Sequence, residues 1–226
     1  MQSALFLNRK DAGHKLAKRL LSLKQTQSKE RRNERIVVVA IPRGGLVVGD
    51  VIASELGAEL DIVVSRKIGA PDNPEFAVGA VMPDGSYFLN QESVNMLTIP
   101  LEYIQIKTNA ELKEIDRRLE CYRGSKEYGN KFEGKTVVLV DDGIATGSTI
   151  LASAKWMKNK HNCKKLVIAA PVAPAEIFND LKQVADEAIV LNRPEPFIAI
   201  GRFYEDFAQV TDDEVKDIMR KHGYKV

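Results

Sequence analysis

The stretch KTVVLVDDGIATGSTILASAKWMKNK, residues 135–160, decides the fold. Its β-branched start predicts a strand buried on both faces, as in a parallel sheet. Two carboxylates, Asp141 and Asp142, end that strand, and a loop of small and hydroxyl residues leads into a helix predicted over 148–160. A buried strand followed at once by a helix is typical of α/β proteins.

The same alternation recurs along the chain. The further apolar runs that predict strands are RIVVVAIP (35–42), ELDIVVS (59–65), KKLVIAAP (164–171) and DEAIVLN (186–192). Two more helices are predicted, over 46–56, ended by Gly57, and over 174–184. Strands that alternate with helices predict an α/β fold with a doubly wound, mostly parallel five-stranded sheet.

Three segments lie outside this alternation, within what we take as a single domain of residues 1–226. Residues 1–35 predict a helix, with Ala12, Leu16, Leu20 and Leu23 on one face, followed by a charged linker. Residues 66–134 predict a Gly- and Pro-rich loop, a hairpin turning at Asp84-Gly85, and a long helix. In that helix Leu101, Ile104, Leu112, Ile115, Leu119 and Tyr122 fall at helical spacing and predict its packed face. Residues 193–226 follow the last strand.

Composition excludes several classes of function. The formal net charge is only +2, which gives no electrostatic footprint for nucleic acid. Cys121 and Cys163 form no paired metal motif with the three histidines, and they predict reduced thiols. The apolar runs are too short for a membrane span and the first residues do not resemble a secretory signal, so we expect a cytoplasmic protein.

The loop after the acid pair has the character of an anion site. Gly143 and Gly147 permit close backbone approach, Thr146, Ser148 and Thr149 supply hydroxyls, and the following helix supplies unpaired N–H groups. Carboxylates beside a phosphate cradle fit a ligand with a phosphate at one end and a neutral diol or a bound cation at the other, and a ribose 5-phosphate has this shape. The plainer alternative is that Asp142 only caps the helix, which would explain one acid but not two.

These residues resemble the phosphoribosyl-pyrophosphate motif of the type I phosphoribosyltransferases, in which an apolar strand, two acids and a hydroxyl-rich loop follow one another. Gly143 departs from the family pattern, which has an aliphatic residue there, and this predicts a more flexible loop. The resemblance covers about residues 36–207. It is closest to a subgroup of predicted phosphoribosyltransferases that share PRGG and PEPF…YEDF and whose acceptor is unassigned.

The resemblance assigns roles to several residues. It implies that Arg43, Gly44 and Gly45 form the pyrophosphate loop, with a cis or distorted peptide between Pro42 and Arg43. Arg66 and Lys67 would lie near the leaving pyrophosphate, and residues 68–76 would form a mobile lid. The segment 193–226 would contain both a hood, which is the part that holds the acceptor, and a C-terminal helix. The candidates for stacking on the acceptor ring are Phe197, Phe203, Tyr204 and Phe207, for which burial in the core is an equal alternative. The implied substrate-binding loop consists of Gly143, Ile144, Ala145, Thr146, Gly147, Ser148 and Thr149.

The activity implied by the resemblance is transfer of ribose 5-phosphate from phosphoribosyl pyrophosphate to a small nitrogen acceptor, with purines, orotate and less common acceptors all left open. Asp141 and Asp142 would hold the ribose diol, and Mg²⁺ would be held mostly indirectly, through the ribose hydroxyls. Arg43, Arg66 and Lys67 would neutralise the leaving group. The family also implies a homodimer. The alternative is a non-catalytic sensor of the same fold, because fold alone does not establish activity.

Overall fold

The predicted sheet is present in the computed structural model of the chain, which describes residues 4–25, 35–74 and 76–226, without the side chains of 22–25. The strands, in chain order, are β1 (Ile36–Ala40), β2 (Glu59–Ile62), β3 (Arg66–Gly69), β4 (Ala77–Val81), β5 (Tyr87–Leu89), β6 (Thr136–Val140), β7 (Lys165–Val172) and β8 (Glu187–Asn192). Five of them form one sheet in the order β2-β1-β6-β7-β8, and all four pairings in it are parallel. The buried apolar runs therefore form the central layer, as predicted.

The helices are α1 (Arg9–Gln25), α2 (Gly44–Leu56), α3 (Gln91–Met96), α4 (Leu101–Arg123), α5 (Ser148–His161), α6 (Ile177–Val184) and α7 (Asp212–Lys221). From β1 the chain runs through α2 to β2 in one direction, and from β6 it runs through α5 and α6 to β8 in the other. Because such crossovers are right-handed, α2 and the α5–α6 pair cover opposite faces of the sheet. The directions diverge between β1 and β6, so this is the topological switch point, where ligands bind in open α/β sheets.

The long excursion between β2 and β6 builds a second, antiparallel sheet, β3-β4-β5. The hairpin turns at Gly85 as predicted, with φ of 77°. Arg66 and Lys67 lie in β3, not in a loop, and Ile68 is buried. The lid predicted over 68–76 thus begins inside a strand, and its mobility stays a prediction.

The chain termini add a small second core at the end of the sheet. Residues 5–7 run beside residues 203–206, with a parallel bridge between Phe6 and Tyr204. Phe6, Ala12, Val172, Phe203 and Tyr204 form the buried cluster there. Of the predicted face of α1, Ala12, Leu16 and Leu20 are buried, while Leu23 and the linker over 26–34 lie outside what is described. None of the described helices is both long and apolar enough to span a membrane.

Candidate active site

Two loops meet at the switch point. The parallel register places Ala40 of β1 beside Val140 of β6, and the Ile41 amide donates to the Val140 carbonyl at 2.9 Å. The chain after β1 passes through a cis peptide between Pro42 and Arg43, as predicted, and enters α2 at Gly44. A Cβ at Gly45 would lie 2.9 Å from Cα of Asp141. Glycine is therefore required for the first turn of α2 to lie against the acid pair.

A cavity of about 550 Å³ opens where these loops meet. Its wall includes seven of the residues predicted for the site, namely Arg43, Gly44, Arg66, Lys67, Asp141, Asp142 and Thr149. These residues come from three regions far apart in sequence, which the parallel sheet and β3 bring together. The wall also includes a face of α4 that the sequence analysis did not assign, consisting of Tyr103, Lys107, Glu111 and Arg118.

The two members of the acid pair have different surroundings. Asp142 is buried, and its Oδ2 accepts a hydrogen bond from Arg9 Nε at 2.7 Å. Asp141 is half-buried, and its Oδ1 accepts from the Asp142 amide at 2.9 Å. Burial, and next the negative charge of Asp142, raise the pKa of Asp141 well above its ordinary value of 3.8, while the charge of Arg9 opposes the shift. The pair is thus asymmetric, with one carboxylate fixed by a cation and the other facing the cavity.

The comparisons with known proteins agree with this geometry. Residues 8–183 match the family described as "Phosphoribosyl transferase domain". The chain belongs to the type I phosphoribosyltransferase family. It is 37% identical over 211 residues to "Putative phosphoribosyl transferase Rv0571c" of Mycobacterium tuberculosis H37Rv, covering 93% of this chain and 45% of that protein. The counterpart in strain CDC 1551, MT0597, matches equally. The chain thus spans about half the length of these curated relatives.

A solved structure of similar extent shows the same fold. The crystal structure of TT1426 from Thermus thermophilus matches with a TM-score of 0.78 at 37% identity, and the match covers 96% of this chain and 98% of that one. The antiparallel excursion, β3 to β5, lies too far inside the chain and is too long to fall entirely outside the aligned 96%. The family membership and the predicted fold class are both confirmed.

Two of the three basic residues expected near pyrophosphate, Arg43 and Arg66, are bonded to carboxylates in this structure. Arg66 Nε donates to Glu111 Oε2 of α4 at 2.7 Å. Arg43 Nη1 donates to Asp212 Oδ1 at the start of α7 at 3.1 Å, and the Tyr122 hydroxyl donates to the same oxygen at 2.6 Å. The hydrogen bonds from Tyr122 and Arg43 lower the pKa of Asp212. Burial and the bond to Asp212 raise the pKa of Tyr122 to about 12. An anionic ligand in the cavity would compete with Glu111 and Asp212 for these guanidinium groups.

The loop after the acid pair follows the family pattern with one local change. Gly147, with φ of 75°, is followed by the first turn of α5, in which Thr149 lines the cavity. Ala145 and Thr146 are exposed, whereas Ile144 is buried. The hydroxyl oxygens of Thr146 and Ser148 lie 3.2 Å apart. A Cβ at Gly143 would lie 2.5 Å from Ile200 Cγ2. The departure at Gly143 thus makes room for Ile200 of the C-terminal segment, and the predicted flexibility of the loop stays a prediction.

The aromatic residues proposed for the acceptor divide into two groups. Phe203 and Tyr204 are only 2% and 5% exposed, within the terminal core, so they do not offer ring faces to a ligand. The Tyr204 hydroxyl instead donates to the Asp142 carbonyl at 2.6 Å and supports the acid pair from beneath. Phe207 stacks on Arg9, whose Cζ lies 3.8 Å from the ring centroid. Phe197 lines a second cavity, formed with Pro174, Glu176, Pro194, Glu195 and Pro196 beyond the ends of β7 and β8.

A divalent cation fits this site only as part of a ligand complex. Among the described residues there is no group of three or more His, Cys, Asp or Glu side chains that could hold a metal ion. Both acids line the cavity, but Asp142 already binds Arg9, so Asp141 is the acid of the pair for which no bonded cation is seen among the described residues. Mg²⁺ commonly uses only one or two carboxylates and takes its remaining oxygens from phosphates and water. The donor set is compatible with that arrangement.

Proposed function

We propose that this chain transfers the 5-phosphoribosyl group of phosphoribosyl pyrophosphate to a nitrogen atom of a small acceptor and releases pyrophosphate. The observation that carries the proposal is the cavity at the switch point, whose lining combines the acid pair with the cations Arg43, Arg66 and Lys67. The donor has a diol and a polyanion. The carboxylates can accept hydrogen bonds from the diol, and the three cations can bind the polyanion.

The ribose end of the donor fits the wall formed by the loop after β6. Asp141 and Asp142 would accept hydrogen bonds from the ribose hydroxyls. The 5-phosphate would take the unpaired N–H groups and the positive dipole end at the first turn of α5, where Ser148 and Thr149 also supply hydroxyls. The carboxylates would then lie near C1 of the ribose, where positive charge develops as the bond to the leaving group breaks.

The leaving group fits the basic residues that line the cavity. The acceptor nitrogen attacks C1, the bond from C1 to the pyrophosphate oxygen breaks with its electron pair on that oxygen, and the acceptor releases its N–H proton to solvent. Arg43, Arg66 and Lys67 would neutralise the departing charge. Mg²⁺, held by the pyrophosphate and the ribose hydroxyls with Asp141 and Asp142 near them, would neutralise more of it. No nucleophile from the protein is needed.

The acceptor would enter from the second cavity, at the carboxyl ends of β7 and β8. Phe197 offers an apolar wall there, and Glu176 and Glu195 are both exposed. Carboxylates repel an anionic acceptor and accept hydrogen bonds from N–H groups. This lining favours a neutral or cationic nitrogen compound, such as a nucleobase, over an acceptor that carries its own carboxylate, such as orotate.

The decisive test is a panel of nitrogen acceptors incubated with phosphoribosyl pyrophosphate and Mg²⁺ and assayed for pyrophosphate release, beside calorimetric binding of the donor. We expect turnover with at least one acceptor. We also expect Asp142→Asn to lose about 100-fold or more in rate, since about 1.4 kcal/mol of lost transition-state stabilisation lowers the rate tenfold, with a smaller loss in donor affinity. Asp180→Asn, the same change at an exposed position of α6, is the matched control.

The binding measurement separates the enzyme from the sensor. Wild type that binds the donor tightly but releases no pyrophosphate with any acceptor would replace the transferase proposal with a binding role. Wild type that binds no donor in the presence of Mg²⁺ would contradict both roles.

A further inference from the structure

Arg9 touches the acid pair although it lies 133 residues from Asp142 in the chain. The Nε–Oδ2 distance is 2.7 Å, and the two side chains are only 12% and 13% exposed. A charge-assisted hydrogen bond this short and this well shielded from water is among the strong polar contacts of a protein. Arg9 is also the first residue of α1, so the orientation of that helix and the position of Asp142 are linked.

The guanidinium group of Arg9 is held on several sides. Nη1 donates to the Ala208 carbonyl at 2.7 Å, and Cζ stacks 3.8 Å from the centroid of the Phe207 ring. A Cβ on Gly44 would lie 1.9 Å from Asp142 Oδ2 and 2.8 Å from Arg9 Nε, so the first turn of α2 lies directly over the ion pair. The pair is therefore confined by α1, α2 and the segment around 207–208, and Asp142 has little freedom to rotate.

Two adjacent carboxylates at the end of a buried strand repel each other, and the surrounding charges decide how far that repulsion is offset. Arg9 reaches the pair from α1, and the Tyr204 hydroxyl faces it from the C-terminal segment. The other charged groups around the same cavity are Arg43 of the loop before α2, Arg66 and Lys67 of β3, and Lys107, Glu111 and Arg118 of α4. Arg43 and Arg66 are bonded to Asp212 and Glu111. Among the described residues, Arg9 is the cation in direct contact with a carboxylate of the pair.

We propose that Arg9 is a positioning residue for the transfer reaction, whose guanidinium group fixes the Asp142 carboxylate in the orientation that accepts the ribose hydroxyls. This inference rests on the proposed function. It makes the two acids unequal, because Asp142 is held in place and Asp141 stays open to the ligand. It also makes the terminal segments, which lie outside the strand and helix alternation, part of the active site.

The test compares Arg9→Gln, Arg9→Lys and the control Lys18→Gln, an exposed residue of the same helix. We expect Arg9→Gln to lower kcat by up to about 100-fold, because small misplacements of a catalytic group cost that much, with a smaller change in KM for phosphoribosyl pyrophosphate. Arg9→Lys should restore only part of the rate, because lysine keeps the positive charge but lacks the planar fork.

A second readout does not depend on turnover. In ligand-free protein with ¹³C-labelled aspartate at one fixed pH, the side-chain carboxyl resonance of Asp142 should shift in Arg9→Gln, which loses the contact, and stay in place in Lys18→Gln. A shifted resonance in protein that shows no transferase activity would overturn the proposed function and retain the contact between Arg9 and Asp142. An unchanged resonance and an unchanged kcat in a folded, active Arg9→Gln protein would overturn the inference alone.

If Arg9→Gln does not fold, the kinetics of Arg9→Lys test the positioning role of Arg9. Wild-type kcat and KM in that variant would overturn the positioning role, and a reduced kcat with little change in KM would support it.

Discussion

Two buried arginine–aspartate pairs flank the central sheet, and their surroundings differ. Asp61 in β2 is fully buried. Its Oδ1 accepts hydrogen bonds from Arg123 Nε and from the Ile62 amide, both at 2.8 Å. Its Oδ2 accepts from Arg123 Nη2 at 3.2 Å and lies 3.1 Å from Lys131 Nζ. Arg123 also donates from Nη1 to the carbonyls of Ser125 and Glu127. Asp142 accepts from Arg9 alone among the described side chains, and its neighbour Asp141 faces a cavity.

The comparison shows how a structural ion pair differs from one at a binding site. The oxygens of Asp61 are fully used by the protein, and two cations face one carboxylate. At Asp142 the ratio of cations to carboxylates is reversed, because Asp141 and Asp142 face one bonded cation, Arg9. The carboxylate oxygens of this pair can therefore accept further hydrogen bonds. Buried polar groups normally find partners within the protein. Unused capacity beside a cavity therefore indicates a ligand that supplies the missing donors.

The largest expected effect is on stability, at the saturated pair. Asp61→Ala leaves the Arg123 guanidinium buried without its partner, which should cost about 3–5 kcal/mol of unfolding free energy. The matched control is Asp116→Ala, which breaks the exposed pair between another residue of α4 and Lys126 and should cost only about 0–1 kcal/mol. Urea unfolding measures both. Equal losses in the two variants would remove the distinction between the buried pair and a surface pair.

A smaller effect is expected at Gly44, which lies over the Arg9–Asp142 pair. Gly44→Ala places a methyl group into the ion pair, and overpacking of this kind costs about 1–3 kcal/mol. Gly49→Ala on the same helix makes a comparable clash, since its Cβ would lie 2.9 Å from the Ala40 Cβ in the core. Both variants should lose stability, but calorimetry should show lost affinity for phosphoribosyl pyrophosphate in Gly44→Ala only. Equal affinities in both would mean that the ion pair can move without consequence for the donor.

The sequence was sufficient for the sheet and for the two loops because their signals are local. Continuous apolar runs such as IVVVA, without alternation of polar residues, are typical of strands buried on both faces. Acids or glycines that directly follow such strands lie at the carboxyl edge of a parallel sheet. The hairpin at Asp84-Gly85 was predictable for the same reason. Such features need no knowledge of distant residues.

Arg9 and the aromatic residues depend on contacts between distant parts of the chain. Nothing in the local sequence around Arg9 distinguishes it from other charged residues at a helix start. The burial of Phe203 and Tyr204 follows from the pairing of residues 5–7 with 203–206, which no sequence period reveals. On α4, the cavity-lining face at Tyr103, Lys107, Glu111 and Arg118 is itself at helical spacing, beside the predicted packed face. Of that packed face, Leu101 is 60% exposed.

The smallest expected effect is on thermal stability. Replacing aspartate by asparagine should stabilise the protein at Asp141 and destabilise it at Asp61. Burial and the neighbouring charge of Asp142 raise the pKa of Asp141, so the folded protein holds a proton at a pH where the unfolded chain has released it. Ionised Asp141 therefore reduces stability, by an amount that is absent below the ordinary pKa of 3.8 and complete above the raised pKa. Asp141→Asn cannot ionise, and its Oδ1 can still accept from the Asp142 amide. We expect its Tm to exceed that of wild type at neutral pH by about 2–4 °C for each kcal/mol relieved.

The advantage of Asp141→Asn should shrink as the pH is lowered, because wild-type Asp141 then becomes neutral as well. Asp61→Asn is the matched comparison, and it should lower Tm, since its carboxylate is neutralised beside two cations that remain buried with it. Thermal unfolding of wild type and both variants from neutral to acidic pH measures the contrast, with donor binding as the functional readout. Stabilisation by Asp141→Asn together with lost donor affinity would mean that this carboxylate is kept for the ligand although it weakens the fold. Destabilisation by Asp141→Asn at neutral pH would mean instead that the protein already satisfies Asp141, as it satisfies Asp61, and that the acid pair has no unused capacity for a ribose diol.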